Sequence, residues 1–291
     1  MTRRGPPSTS SAPSPSIPVS TRSGRRWRRS APSSPSAGSS RSDPVRGDPP
    51  RSKGGPMTPI EPSLDPAVLA ELGRISSPTV ANAIETFNVR PWNAGFVSSE
   101  ILCRFPRLPA MVGYAVTALI RAESPPLEGH RAQEFAWWEH VAASPGPRVV
   151  VMRDVDEPPG QGAYWGEVQA NIHRALGVLG VVTDGTVRDL PEAEAVGFHF
   201  FSAHVSVSHA YVHMVDFGLP VKLGRLWIHP GDLLHGDQHG VVVIPREIAA
   251  KIPEAAARIE ARERKMIAVC QKPGVTVEEL KAARAAMRQS Y

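Results

Sequence analysis

The sequence predicts a mixed α/β domain with one core. Apolar Val168, Ile172 and Leu176 recur every four residues, the stripe of a helix. Val178–Val182 follows as a short Val-rich run, the pattern of a buried strand. Arg148–Met152 is a second such run, and several strand-like segments crowd between Tyr211 and Ile244.

The charge divides the chain. Residues 1–56 hold 11 Lys/Arg against 2 Asp/Glu, a balance of +9, while the remainder carries −4. That first stretch also has 15 Ser and 11 Pro and almost no aliphatic residues, so it cannot bury a core and is expected to be disordered. The simplest expectation is that the folded protein starts at Met57 and that the tail is an over-extended gene model. A functionless arm, a targeting segment and a basic arm touching nucleic acid are the alternatives. Arg25-Arg26-Trp27-Arg28-Arg29 invites an export reading, but no apolar stretch follows it. The mildly acidic body offers nucleic acid nothing comparable. Residues 57–291 fall within the range of one domain. No run of 18 apolar residues predicts a membrane span, and Cys103 and Cys270 do not make a disulfide framework. A cytoplasmic location is the expectation.

In chain order, Asp65-Pro66 to Leu72 reads as a short helix. Ser77-Pro78 supplies an N-cap and a first-turn proline for a second helix over Thr79–Phe87. Residues 88–110 read as irregular. Met111–Arg121 reads as a strand alternating around Val112, Tyr114, Val116 and Ala118. Glu128–Ala142 reads as a helix with Phe135, Trp138 and Val141 on one side, a stripe for core or subunit interface. Asp154–Ala163 is a polar, Gly-containing loop, either a pocket rim or lid or a solvated connector.

The helix from Tyr164 stops near Gly177. The strand after it closes at Asp184-Gly185, read as a turn in which Gly185 meets a backbone requirement. Asp184 either forms that turn or stands behind the site. Leu190-Pro191 starts a brief helix to Val196, and Phe198–Phe201 is a strand. Tyr211–Phe217, Val221–Leu223, Leu226–His229, Leu233–His235 and Val241–Ile244 read as strands of a β-rich half, with Pro230-Gly231-Asp232 as a turn. Arg246–Gln271 reads as one long charged helix and Thr276–Gln289 as a terminal one.

The 164–189 stretch carries the candidate site. A helix of about 11 residues runs roughly 16 Å. A strand of about six residues runs roughly 20 Å back. Gly166-Glu167 should therefore lie close to Arg188-Asp189, outside the carboxyl end of a strand where ligands of α/β sheets bind. The free N–H groups of Val168 and Gln169 would point into the same space, which suits an anion. Two carboxylates, a guanidinium and a helix N-terminus suit a divalent cation with a small carboxylate substrate.

Other residues weigh less. Seven of the ten histidines fall between positions 199 and 239. His209 and His213 have the spacing of a zinc helix, but no His-Glu-x-x-His is present and the segment reads partly as strand, so polar strand and turn residues are the expectation. Asp232, Asp237 and His239 surround Gly-Asp turns and read as structure.

Gly166-Glu167, twenty residues, then Arg188-Asp189 resembles the signature of the RraA-like family, and Pro230–Pro245 resembles its second recurring block. The family includes 4-hydroxy-4-methyl-2-oxoglutarate aldolase, oxaloacetate decarboxylases of the same fold and the regulator of ribonuclease E activity A. The similarity runs from about Ile75 to Arg264. It implies a swivelling β/β/α domain with helical extensions at both ends, assembled as trimers or hexamers.

It further implies that Asp189 ligates the metal and that Glu167 reaches it through water. All-oxygen ligation points to Mg²⁺ or Mn²⁺. Arg188 would grip a 2-oxo acid, and the N–H groups around Gly166, Val168 and Gln169 would hold its carboxylate. The activity implied is lyase cleavage through pyruvate enolate, by retro-aldol reaction or decarboxylation. The rival is a non-catalytic binding protein such as a ribonuclease inhibitor. Val168-Gln169 departs from the leucine-rich version of the motif, and Asn171 and His173 add polarity nearby.

Overall fold

A computed structural model describes residues 63–126 and 130–288 of the chain. The expectations for residues 1–56, and for a helix start at Glu128, lie outside those residues. Asp65 caps α1 (Pro66–Leu72), its carboxylate accepting from Ala67 N at 2.8 Å. Helix α2 (Ser77–Glu85) begins earlier than predicted, because Ser76 is its cap. Ser77 instead donates its N–H and hydroxyl to Asp237, at 2.8 and 2.6 Å, so that acid anchors α2 across the fold.

There follow β1 (Leu102–Cys103), β2 (Met111–Arg121), α3 (His130–Ala143), β3 (Arg148–Asp154), β4 (Ala163–Trp165), α4 (Glu167–Ala175), β5 (Val178–Val187), α5 (Leu190–Ala195), β6 (His199–Val205) and β7 (His213–Phe217). The chain then forms β8 (Val221–Leu223), β9 (Leu226–Ile228), β10 (Leu233–Asp237), β11 (Gly240–Ile244), α6 (Arg246–Ala249), α7 (Ile252–Cys270) and α8 (Val277–Arg288). Nine strands make one mixed sheet in the order β1-β6-β5-β3-β2-β10-β11, with β4 beside β5 and β7 beside β2. Its centre is parallel: β2 pairs with β3, β3 with β5 and β5 with β6. The β8–β9 hairpin stands apart.

Both faces of β2 are covered, so it is buried almost throughout and does not alternate with solvent. Val116, Ala118 and Ile120 pack with Trp137 and Val141 of α3, Ala170 of α4 and Ala193 of α5. Val112 and Tyr114 pack under α1, α2 and α7. Met111 and Ala115 turn to the other side, with Val149, Val151, Val182 and Phe201 and the hairpin's Val221, Leu223 and Ile228. The terminal helices therefore close one part of the outer face, and α3, α4 and α5 close the rest.

Several expectations are corrected. Asp184-Gly185 is not a turn: β5 continues to Val187, with a register irregularity between Thr183 and Thr186. The Asp184 carboxylate accepts Asp154 N at 2.8 Å, and a Cβ at Gly185 would stand 3.3 Å from Asp154 Cβ. Two of the three acids of the 154–163 loop turn inward, and only Glu157 is exposed. Asp154 and Asp156 are buried; Asp154 accepts from Gly160 N and Asp156 N, and Asp156 accepts from Ala122 N and Glu123 N. On α3 Val141 is buried and Trp138 packs against the core as expected, but the fully buried aromatic is Trp137 and Phe135 is exposed. The predicted 246–271 helix breaks into α6 and α7, because Pro253 in the first turn of α7 has no N–H to carry a helix through.

Arg148 fixes the end of the fold opposite the strand carboxyl ends. Its guanidinium donates to Ser144 O, Leu176 O and Ala142 O at 2.7, 2.8 and 2.8 Å, tying the C-termini of α3 and α4 to the start of β3. A positive charge there also complements both helix dipoles.

Burial, and the neighbouring Asp154, push the Asp184 carboxyl up to about 6. A folded-state value above the unfolded one means that the fold holds the proton more tightly, so this group's contribution worsens as pH rises from about 4 to 6 and stays unfavourable above that. Asp184→Asn keeps the oxygen that accepts Asp154 N and removes the charge. It should raise the melting temperature at pH 7.5 and lose most of that advantage near pH 4, as read by thermal unfolding across pH.

Candidate active site

The register of β4 against β5 builds the site. Ala163 pairs with Thr186 and Trp165 with Val187, in parallel, and Arg188 N donates to Trp165 O at 2.9 Å. Gly166 and Arg188, the next residues on each strand, therefore emerge side by side. The sequence reading brings them together by the return of a helix on a strand and does not include β4, whose residues read as the end of the loop and the start of the helical stretch.

Gly166 is the N-cap of α4 and has no side chain to cap with. Asp189 supplies the cap from the other chain segment: its Oδ2 accepts Glu167 N at 3.0 Å. The approach is close, since a Cβ at Gly166 would lie 2.5 Å from Asp189 Oδ2 and 3.1 Å from Arg188 Cγ. Asp189 adopts a left-handed backbone, φ 52°, that directs its side chain back toward α4 while its own backbone starts α5. Arg188 Nε stands 3.6 Å from Asp189 Oδ2, and the two side chains remain 37% and 36% exposed, open to a ligand.

These residues line a cleft of about 320 Å³ with Gly166, Val168 and Gln169 on one side and Glu134, Ala163, Tyr164, His209, Val212, His213 and Met214 around it. Of the predicted set, Gly166, Val168, Gln169, Arg188 and Asp189 meet here. Glu167 sits beside them in the first turn of α4, exposed and outside the lining. The predicted apolar stripe of α4 is rotated. Val168 is 69% exposed, and the buried residues are Ala170 and His173.

His173 explains the rotation. Its Nε2 accepts from Trp137 Nε1 at 2.9 Å and its Nδ1 donates to Gln169 O at 2.8 Å, so the ring is fully partnered as a neutral core group. Burial holds its pKa down to about 4. It packs edge-on against Trp165, at 4.6 Å between ring centres.

Seven lining residues fall outside the predicted set, four of them polar: Glu134, Tyr164, His209 and His213. The Tyr164 hydroxyl and Gln169 Oε1 are buried without a hydrogen-bond partner. Burial, then the charge of Glu134, raises the Tyr164 pKa beyond the usual phenol range, so it stays protonated as a donor. The histidine spacing was the available signal. The expectation of polar turn and strand residues holds, since His209 lies in a turn and His213 opens β7.

Among the described residues, no group of three or more His, Cys, Asp or Glu is placed to hold a metal ion, and no helix is long and apolar enough to cross a membrane. A larger groove, of about 980 Å³, lies between α2, α7 and α8, lined mainly by helix side chains such as Ile259, Met266 and Met287; the convergent polar groups are in the smaller cleft.

A family profile described as RraA-like, Aldolase/RraA, matches residues 80–243. Among curated proteins, the "Uncharacterized protein MJ0644" of Methanocaldococcus jannaschii is 32% identical over 120 residues, 41% of this chain and 58% of that protein. The "Putative 4-hydroxy-4-methyl-2-oxoglutarate aldolase" of Halalkalibacterium halodurans is 32% identical over 127 residues, 42% of this chain and 59% of that protein. The match thus spans less than two thirds of either relative.

Among solved structures, an uncharacterized protein from Pseudomonas syringae pv. tomato superposes with a TM-score of 0.61 at 23% identity, over 79% of this chain and 99% of that one. Streptomyces coelicolor RraAS2, described as an unusual member of the RNase ES inhibitor RraA protein family, superposes with a TM-score of 0.55 at 24% identity, over 69% of this chain and 96% of that one. These likenesses establish the fold: the mixed α/β domain, with its curved sheet and terminal helices, is the RraA-like swivelling β/β/α arrangement. The profile covers more than half of the chain and contains the whole Gly166–Asp189 segment, and on that ground the chain belongs to the RraA-like family.

Proposed function

We propose that this protein is a divalent-cation-dependent lyase that cleaves a small 2-oxo acid through pyruvate enolate. The convergence of Arg188, Asp189 and the N-terminal N–H groups of α4 in one cleft carries the reading. The substrates that suit it are 4-hydroxy-4-methyl-2-oxoglutarate, by retro-aldol cleavage, and oxaloacetate, by decarboxylation.

The donor set fits a hard cation. Mg²⁺ keeps several waters and takes one or two carboxylates, so a half-exposed Asp189, with Glu167 nearby in the first turn of α4, suits it without an all-protein cage. Mn²⁺ would accept the same oxygens. When bound, such a cation supplies Lewis-acid stabilisation of developing negative charge.

The chain's own groups do the rest. In this reading the Arg188 fork holds the keto oxygen or carboxylate of the substrate and favours the charge that gathers on that oxygen as the carbon–carbon bond breaks. The unpaired N–H groups of Val168 and Gln169 receive the carboxylate. Both substrates leave the same enolate, so one arrangement serves both. A pure interaction module would have no need of this set.

An assembly of three or six copies belongs to this reading. Phe135, Val168, Val207 and Tyr211 are exposed apolar residues on elements flanking the cleft, and burying them against another subunit supports it.

Pyruvate release from the two substrates by the full chain, with Mg²⁺ or with EDTA, is the test. Turnover should need the cation and disappear in Asp189→Ala. Silence on both substrates, with cation present and the protein folded, would turn the reading to a binding protein. Gly166→Ala should displace the Asp189 carboxylate and lower turnover by about 100-fold, because small misplacements at reacting groups have effects of that size. Its melting temperature should fall by only a few degrees, the effect of losing the cap of α4 in a folded protein.

A further inference from the structure

The lyase reading leaves one chemical need unmet: a group to take the proton of the 4-hydroxyl. The cleft offers few candidates. Arg188 is cationic, Asp189 is engaged in capping α4, and Tyr164 keeps its proton. Glu134 accepts only a long contact, 3.5 Å, from Gln169 Nε2 and lies toward the buried phenol. The histidine wall remains.

His213 Nδ1 stands 2.8 Å from Tyr211 O, and His209 Nδ1 stands 2.7 Å from Ala210 O. A carbonyl oxygen only accepts, so in each ring Nδ1 carries the hydrogen. The neutral ring then presents Nε2 with a free lone pair. The two rings differ in anchorage. His209 is exposed in a turn, whereas His213 is half-buried and opens β7, paired with Arg121 of β2.

The wall is held in place from several directions. Ala163 N donates to Ser208 O at 2.9 Å, Tyr211 N to Ala122 O at 3.1 Å and Ala210 N to Ser208 Oγ at 2.9 Å. Ala210 takes a left-handed backbone, φ 45°, a conformation a residue with a Cβ adopts only when its surroundings impose it. Gly162 makes room for the turn: a Cβ there would lie 2.4 Å from His209 O and 2.8 Å from Ala210 Cβ. The chain thus seats this turn against β4, directly before Gly166.

We propose that His213 Nε2 is the general base of the lyase reaction. The imidazole takes the proton from the 4-hydroxyl of the bound 2-oxo acid. The O–H electron pair forms the new carbonyl at C4. The C3–C4 pair passes into the C2–C3 bond and leaves an enolate whose oxygen faces Arg188. The imidazolium then returns its proton to C3, giving pyruvate and a carbonyl product with no net proton gained or lost. The assignment rests on the lyase reading and adds to it the one residue specific to the aldol direction.

Two reactions of the full chain with Mg²⁺ separate the assignment from that reading. Exchange of the pyruvate methyl protons in D₂O, followed by NMR, needs a base. Oxaloacetate decarboxylation loses CO₂ with no proton to remove. His213→Asn keeps a nitrogen to donate to Tyr211 O and lacks Nε2. It should slow exchange, and retro-aldol turnover, by about 100-fold or more, the usual contribution of a general base. Decarboxylation should stay within about threefold, since no base acts in it.

His229→Asn, at an exposed histidine outside the cleft, should leave both reactions nearly unchanged, and His209→Asn should slow exchange far less than His213→Asn does. Equal loss of both activities in His213→Asn would show a structural role and overturn the assignment. So would undiminished exchange, the exchange defect appearing in His209→Asn instead, or a wild type that decarboxylates without exchanging. A wild type inert in both reactions would overturn the lyase reading itself, and the base with it.

Discussion

One hydrogen bond organises the centre of this protein: Asp189 Oδ2 accepts the first free N–H of α4, from Glu167. A helix that starts on glycine has no cap of its own, and its exposed N–H groups would otherwise depend on water. Taking the cap from a residue twenty-two positions later joins the start of α4 to the end of β5. It also turns the carboxylate inward beside Arg188 and leaves the next N–H groups free for a ligand. The absence of a side chain at Gly166 and the left-handed backbone at Asp189 are both conditions of this contact. At the far end, Arg148 collects the last carbonyls of α3 and α4, so the pocket helix is held at both termini.

Much of this is legible in the sequence because it is local or periodic. β2 falls on its predicted bounds, and α1, β8 and β11 fall on or within a residue of theirs, since caps, prolines and Val-rich runs act within a few residues. The meeting of Gly166 with Arg188-Asp189 was legible from element lengths. What escaped depends on partners distant in the chain. The face of α4 is decided by His173 reaching Trp137, and a histidine counts as polar in any hydrophobic stripe. Asp184-Gly185 has the composition of a turn, yet the sheet carries it straight through because Asp154 N needs its carboxylate. Asp154 and Asp156 sit in a loop that reads as a rim or a solvated connector, but they replace backbone partners inside the fold.

The candidate site divides along the same line. Its Gly166–Asp189 half lies in one stretch of chain and could be read there. The half made by Glu134, His209 and His213 comes from α3 and from the turn before β7, and only the folded sheet brings it alongside. Family membership strengthens the first half, whose pattern the resemblance carries. The histidine wall rests on the geometry of this chain.

The two halves are also built from different materials. Arg188 and Asp189 extend from a central strand whose neighbours pair on both sides, so little can change there without disturbing the sheet. The opposite wall is partly a short turn seated on β4 by a few backbone contacts and the missing side chain of Gly162. Evolution can therefore rewrite that turn with small cost to folding while the Arg188–Asp189 end persists. A lineage with this construction would be expected to diversify in the part of a ligand that meets the turn, and to keep constant the part that meets Arg188 and Asp189.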